Sequence, residues 1–161
     1  MRTAILTVST SVAAGRTEDL SGLALAELAQ AAGAEIVAQD VVSDDAAAIE
    51  AWLRRQCANE VALLLTTGGT GFTPDDVTPE ATRAVIERDA PGLAEAMRAE
   101  SIRHTQMGML SRGVSGIAGS ALIINFPGNP KAVRELFPVV APVLGHAVAT
   151  LRRAPGQRIE H

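Results

Sequence analysis

The sequence predicts an α/β domain of three layers, with a largely parallel central sheet flanked on both faces by helices. Two observations predict it. Short apolar runs rich in branched residues alternate along the chain with longer segments whose apolar residues recur at helical spacing. Hydrophobic residues make up 47% of the chain and aromatic ones only 2%, so Ala, Leu and Val must fill the core, which suits close packing of helices on a sheet. With 161 residues the chain has the length of a single domain, 1–161, able to bury a core without disulfides or a structural metal.

Residues 3–8 (TAILTV) read as a buried strand, followed by the polar loop STSVAAGRTED. Residues 20–32 carry Leu23, Leu28 and several alanines at helical spacing, and Gly33 stands where a helix C-terminus needs a residue free to adopt the left-handed conformation. Residues 35–42 form a second strand. Ser43, Asp44 and Asp45 are candidate N-caps of a helix through Ile49, Trp52, Leu53 and Cys57, and VALLL at 61–65 is a third strand. Thr78, Pro79 and Glu80 give the next helix a cap, a proline at its first position and an acid in its first turn; Pro91 opens another. Residues 121–126 (ALIINF) read as a further strand ending in PGNPK. Pro138 and Pro142 predict that the final helical segment is broken or kinked. No internal repeat, linker or low-complexity tract interrupts the pattern.

The formal charge of −4, with arginines scattered along helices, supplies no electrostatic footprint for nucleic acid. The single cysteine, Cys57, excludes an intramolecular disulfide and reads as an apolar filler rather than a nucleophile. This points to the cytoplasm. The apolar run in MRTAILTVSTS is too short for a signal peptide or a membrane span, and no later stretch reads as reaching spanning length, so a membrane is not an expected partner. His104 and His146 have no Cys or His neighbours at metal spacing.

Ligands of such sheets bind beyond the carboxyl ends of the strands, which nominates STSVAAGRTED, VSDD, TTGGTGFTPDD and PGNPK as loops meeting at one edge. In the third, Gly68, Gly69 and Gly71 let the backbone turn sharply and leave amides unshielded, while Thr66, Thr67 and Thr70 add hydroxyls; together they can surround a phosphate. The competing reading is a tight strand-to-helix turn that needs glycine for geometry alone. The loop is neither a Walker A motif nor a dinucleotide fingerprint. Asp76 follows the cradle, where a phosphate would repel it unless a cation lies between them; Mg²⁺, which takes carboxylate, water and phosphate oxygens together, resolves the conflict, with Asp44 as a possible second carboxylate. Asp75, and alternatively Asp44, reads as a helix cap or turn residue. Lys131, at a helix start, is placed either near a phosphate or in solvent.

Taken together, TTGGTG, DVTPEAT, SRGVSGIAGSALIINFPGNPKAV (111–133) and the opening ILTVSTSVAAGRTEDLSG resemble the MogA/MoaB family of molybdenum-cofactor biosynthesis proteins, over nearly the whole chain. The resemblance implies the molybdopterin-binding fold of that family and the activity of its catalytic members, transfer of AMP from ATP to the terminal phosphate of molybdopterin with release of pyrophosphate. It implies assembly as a homotrimer. Asp44 and Asp76 then match acidic positions important for the reaction and for the metal. Thr67, Gly68, Gly69, Thr70 and Gly71, with Gly128, Asn129 and Pro130, match nucleotide-site positions. Ser111 matches a serine at the pterin side, with Arg112 and Lys131 assigned beside it; Arg112 pairs either with the pterin phosphate or in an exposed structural ion pair. One position departs from the family pattern: Asp75 stands where a basic residue commonly precedes the DVTPEA aspartate, giving a TPDD element also common in the amino-terminal domain of CinA-type proteins. A CinA-like nucleotide pyrophosphatase and a noncatalytic pterin-binding member are therefore the alternative functions.

Overall fold

A computed structural model describes residues 1–153. Strands β1 (Arg2–Val8), β2 (Glu35–Val42), β3 (Leu63–Thr67), β4 (Arg88–Asp89), β5 (Ser115–Ala118) and β6 (Ala121–Phe126) form one six-stranded sheet in the order β2-β1-β3-β6-β5-β4. The pairs β1/β2, β1/β3 and β3/β6 are parallel, whereas β5 and β4 add an antiparallel edge. Parallel neighbours need crossover connections, and helices supply them. These are α1 (Thr10–Ala13), α2 (Leu20–Ala31), α3 (Ala46–Ala58), α4 (Thr78–Arg83), α5 (Pro91–His104) and α6 (Pro130–Leu151), with a short 3₁₀ turn over Gln106–Leu110.

The continuous apolar runs of the strands are explained by two covered faces. Successive side chains alternate across the sheet. Ile5, Leu63, Leu65, Leu122 and Ile124 meet α2, α5 and α6 through Leu25, Met97, Leu136 and Phe137, while Ala4, Leu6, Leu64 and Ile123 meet α3 and α4 through Ile49, Trp52, Leu53 and Ala81. Trp52 is 2% exposed, and its indole N–H donates to Asp40 Oδ2 at 2.7 Å, tying α3 to β2. Cys57 is half-buried against the same core; burial first, and the charge of Glu87 second, push its thiol up.

Asp45 is the cap of α3, accepting from the Ala48 amide at 2.7 Å. Asp45→Ala should therefore cost about 1 kcal/mol, read as a lower urea midpoint with an unchanged slope. A midpoint equal to wild type would contradict this role.

Several expectations are corrected. The third strand lies two residues further along than VALLL, at Leu63–Thr67, and so carries Thr66 and Thr67 inside the sheet. Thr78 is the first residue of α4 rather than its cap, which is Val77 without a side-chain bond. In α2 the buried face is Ala24, Leu25 and Ala29, and Leu23 is 53% exposed, because small residues allow the closest approach to the sheet. The final helix is not broken. Pro138 and Pro142 stand four residues apart on its exposed side, so the carbonyls they deprive of a partner face water, while Val133, Leu136, Phe137, Val140, Leu144 and Val148 are buried. Contrary to the sequence expectation, α6 is long and apolar enough to cross a membrane by length and composition; in the fold its apolar face lies against α2 and α5.

Candidate active site at the carboxyl edge of the sheet

Because β1, β2, β3 and β6 run parallel, the four loops that follow them open on one edge. The chain leaves β1 for β2 on one side and returns to β3 on the other, so a topological switch point lies between β1 and β3.

The glycine loop fills that switch point. Gly68 and Gly69 have φ of 100° and 64°, the left-handed region that side chains disfavour. A Cβ on Gly68 would fall 2.2 Å from the carbonyl oxygen of Val8, and one on Gly69 would fall 2.4 Å from Thr78 Oγ1. The Thr78 hydroxyl donates to the Gly68 carbonyl at 2.8 Å, and the Gly68 amide donates to Phe126 O at 3.1 Å. The loop is thus clamped by β1, β6 and α4, and the Gly68 amide is committed within the fold. Thr66 and Thr67 are also committed: both are fully buried, Thr66 accepts from Asn125 Nδ2 at 3.0 Å, and Thr67 donates to Pro127 O at 2.8 Å. The sequence expectation that their hydroxyls reach a phosphate is corrected accordingly. Thr70 and Gly71 do face a cavity.

Two cavities meet at this loop. One, of about 480 Å³, is lined by Thr70, Gly71, Asp76, Ser111 and Asn129 on its polar side and by Met97, Met107, Leu110 and Leu136 on its apolar side. The other, of about 360 Å³, is lined by Ser9, Ser11, Thr17, Asp44, Gly68 and Pro130. Gly69 and Gly128 line both, and a Cβ on Gly128 would come within 3.1 Å of Gly68 Cα, so glycine backbone without side chains forms part of the wall the two cavities share.

A family profile described as "Probable molybdopterin binding domain" matches residues 4–146. The chain belongs to the MogA/MoaB family of molybdenum-cofactor biosynthesis proteins. The structure of the molybdopterin biosynthesis enzyme MoaB from Thermus thermophilus superposes with a TM-score of 0.89 at 43% identity, covering 97% of this chain and 99% of that one. A molybdopterin adenylyltransferase of Helicobacter pylori is 37% identical over 89% of this chain and 84% of its own length. The Drosophila melanogaster molybdenum cofactor synthesis protein cinnamon is 43% identical over 89% of this chain, which spans about a quarter of that larger protein (24%).

In this MogA/MoaB chain the two candidate aspartates open into different cavities. Asp76 Oδ2 accepts from the Thr73 amide at 2.9 Å and the Thr73 hydroxyl at 2.6 Å. Partial burial pushes the Asp76 carboxyl up, but these donations, the Gly71 amide and the charge of Arg112 outweigh it and leave the group below its ordinary value. Asp44 accepts from the amide and hydroxyl of Thr10 at 2.8 and 2.7 Å, and so anchors the start of α1 while facing the smaller cavity. No group of three or more His, Cys, Asp or Glu able to hold a metal gathers among the described residues.

Ser111 lines the larger cavity; Arg112 and Lys131 do not. Lys131 has an 83% exposed side chain 3.8 Å from Glu135, and Asn129 caps α6 through the Lys131 amide at 2.9 Å. Arg112 donates instead to Gly71 O, Asp76 O and Glu80. Sequence reasoning missed Arg98, whose guanidinium lines the cavity and donates to the Ser111 and Gly113 carbonyls at 3.0 and 2.9 Å. It also missed Asn125, a 2% exposed hub between Thr66, Thr82 and the Val114 amide. An amide in the apolar run ALIINF was the available signal.

The hydrogen-bonded Arg112 guanidinium holds the Glu80 carboxyl below its ordinary value. A depressed carboxyl stabilises the fold fully above its unfolded pKa, and loses that contribution as pH falls through the folded one. Glu80 is half-exposed, so Glu80→Gln should cost at most about 1 kcal/mol at neutral pH, with the gap to wild type closing below about pH 4. Thermal melts across that range check it; a gap that widened in acid would refute the assignment.

Proposed function

We propose that this chain is a molybdopterin adenylyltransferase, working as a cytoplasmic homotrimer. The observation that carries the reading is the pair of cavities that share Gly69 and Gly128 in their walls, with Asp76 beside one and Asp44 beside the other. Such a junction suits a two-substrate phosphoryl reaction, in which two anionic ligands must be brought together and oriented. The H. pylori relative that carries this name matches over most of both chains, which supports the assignment.

In the proposed reaction an oxygen of the molybdopterin phosphate attacks the α-phosphorus of ATP. The bond from that phosphorus to the bridging oxygen breaks, and pyrophosphate leaves with the electron pair. A phosphate monoester is already nucleophilic near neutral pH, so no general base is demanded; the protein binds, orients and offsets charge. The larger cavity, with its apolar wall and Ser111, suits the pterin. The smaller one, with its hydroxyls, Gly68 and Pro130, suits the nucleotide; Thr70, Gly71 and Asn129, nominated from sequence for the nucleotide, line the larger cavity instead. Mg²⁺, when bound, would neutralise charge on the phosphates. Asp76 on the side of the larger cavity and Asp44 on the side of the smaller are the residues proposed to hold Mg²⁺, each with one carboxylate for an ion that completes its shell with substrate oxygens and water.

The test is pyrophosphate release from ATP and Mg²⁺ with and without molybdopterin. Release that requires the pterin supports the transferase; release without it supports a nucleotide pyrophosphatase, and none in either case supports a noncatalytic pterin-binding protein.

Assembly rests on the exposed run of Met107 (66%), Met109 (58%) and Leu110 (38%), since a cyclic trimer needs each subunit to present two different patches. Ala118 is buried in the core on one face of the sheet and Ile117 is half-buried against the core on the other, so neither adds to that surface. Light scattering coupled to size exclusion should give three times the subunit mass; a single-subunit mass at micromolar concentration would reject assembly.

A further inference from the structure

We propose that Arg112 is a positioning residue, which fixes the segment from Gly71 to Asp76 and with it the Asp76 carboxylate, rather than a residue that touches the pterin. This rests on the transferase reading only for the role of Asp76.

The segment has little apolar packing of its own. Phe72 is 65% exposed, and Thr73, Pro74 and Asp75 are also exposed. Its shape therefore depends on polar ties, and Arg112 makes most of those that leave the segment. Nε donates to the Gly71 carbonyl at 2.7 Å, Nη2 donates to the Asp76 carbonyl, and Nη1 reaches Glu80 in the first turn of α4. The Arg112 amide adds a fourth tie, to Thr70 O at 2.9 Å. One side chain thus holds both ends of the loop and the helix that follows it. A guanidinium suits this task because its donors are fixed in a plane and cannot be deprotonated; an ammonium is a single point charge and cannot span the same acceptors.

Within the loop, the Asp76 amide donates to Thr73 O at 3.0 Å and the Thr73 amide returns to Asp76 Oδ2 at 2.9 Å. Holding Gly71 and Asp76 in place therefore also sets where the Asp76 carboxylate points. Gly71 packs close to the same carboxylate: a Cβ there would lie 2.9 Å from Asp76 Oδ2.

The test pairs amide hydrogen exchange of the unliganded protein with steady-state kinetics, for wild type, Arg112→Lys and Arg112→Ala. In Arg112→Ala the Thr73 and Asp76 amides should exchange at least about tenfold faster while Leu64 in β3 is unchanged. The Mg²⁺ concentration for half-maximal rate should rise about tenfold, as for loss of a residue that orients a metal ligand, and by more than the KM for molybdopterin, whose cavity the same loop lines. Arg112→Lys, which also serves if the alanine variant fails to fold, should fall in between. Wild-type exchange rates would overturn the proposal, as would a raised pterin KM with an unchanged Mg²⁺ dependence. If wild type itself transfers no AMP, the transferase reading falls, and exchange alone decides whether Arg112 braces the loop.

Discussion

Asp76→Asn should keep the fold and lower AMP transfer by roughly 100-fold, equivalent to about 3 kcal/mol of transition-state stabilisation. The asparagine carbonyl can still accept from the Thr73 amide and hydroxyl, so the loop keeps its shape. What disappears is the negative charge of a carboxylate that these donors, prevailing over burial, hold below its ordinary value. Because that charge is proposed to act on the metal and the phosphates of the transition state, kcat should fall more than ATP affinity does. Steady-state pyrophosphate release at saturating ATP and molybdopterin, with a thermal melt as control for folding, gives the answer. A kcat within twofold of wild type would remove Asp76 from the mechanism.

The second large effect is on stability. Gly68→Ala places a methyl group 2.2 Å from the backbone oxygen of Val8, at φ 100°. Neither partner can rotate away, since both belong to the sheet and its edge. Left-handed strain and the clash together should cost about 3 kcal/mol, or a fall in melting temperature of about 6–12 °C for a chain of this size. Gly15→Ala is the matched control: its φ is 69°, but nothing lies within 4 Å of the added carbon. That change should cost only the conformational strain, about 1 kcal/mol. Equal melting temperatures for the two variants would mean that the contact with Val8 relaxes freely and that the loop is not clamped.

The contrast between these glycines shows what was legible in the sequence. A cluster such as TTGGTG announces that a backbone turns sharply, and Gly68 and Gly69 do so. It does not announce which partner crowds the turn, because Val8, Phe126 and Gly128 come from strands and loops distant in sequence. Strand identity was legible for the same reason that boundaries were not. LLLTT is buried on both faces, so no polar alternation marks where the strand stops, and Thr66 and Thr67 read as loop hydroxyls although they complete the ladder with β1 and β6. The two-residue β4 and the four-residue β5 carry too few side chains for any period to show. Of the candidate site, Asp76 and Ser111 stand at the larger cavity and Asp44 at the smaller. Arg98 was hidden, since an arginine at the solvent end of a helical pattern looks the same whether it faces water or caps two carbonyls across a cavity.

Trp52 is the only tryptophan, and the chain has no tyrosine. Its emission therefore comes from one position, 2% exposed and hydrogen-bonded to Asp40. The intrinsic fluorescence of this protein is a local gauge of how firmly α3 sits on β2. Neither Trp52 nor Asp40 lines either cavity, so a shift of this emission to longer wavelength reports that this half of the sheet has come apart and let water reach the indole.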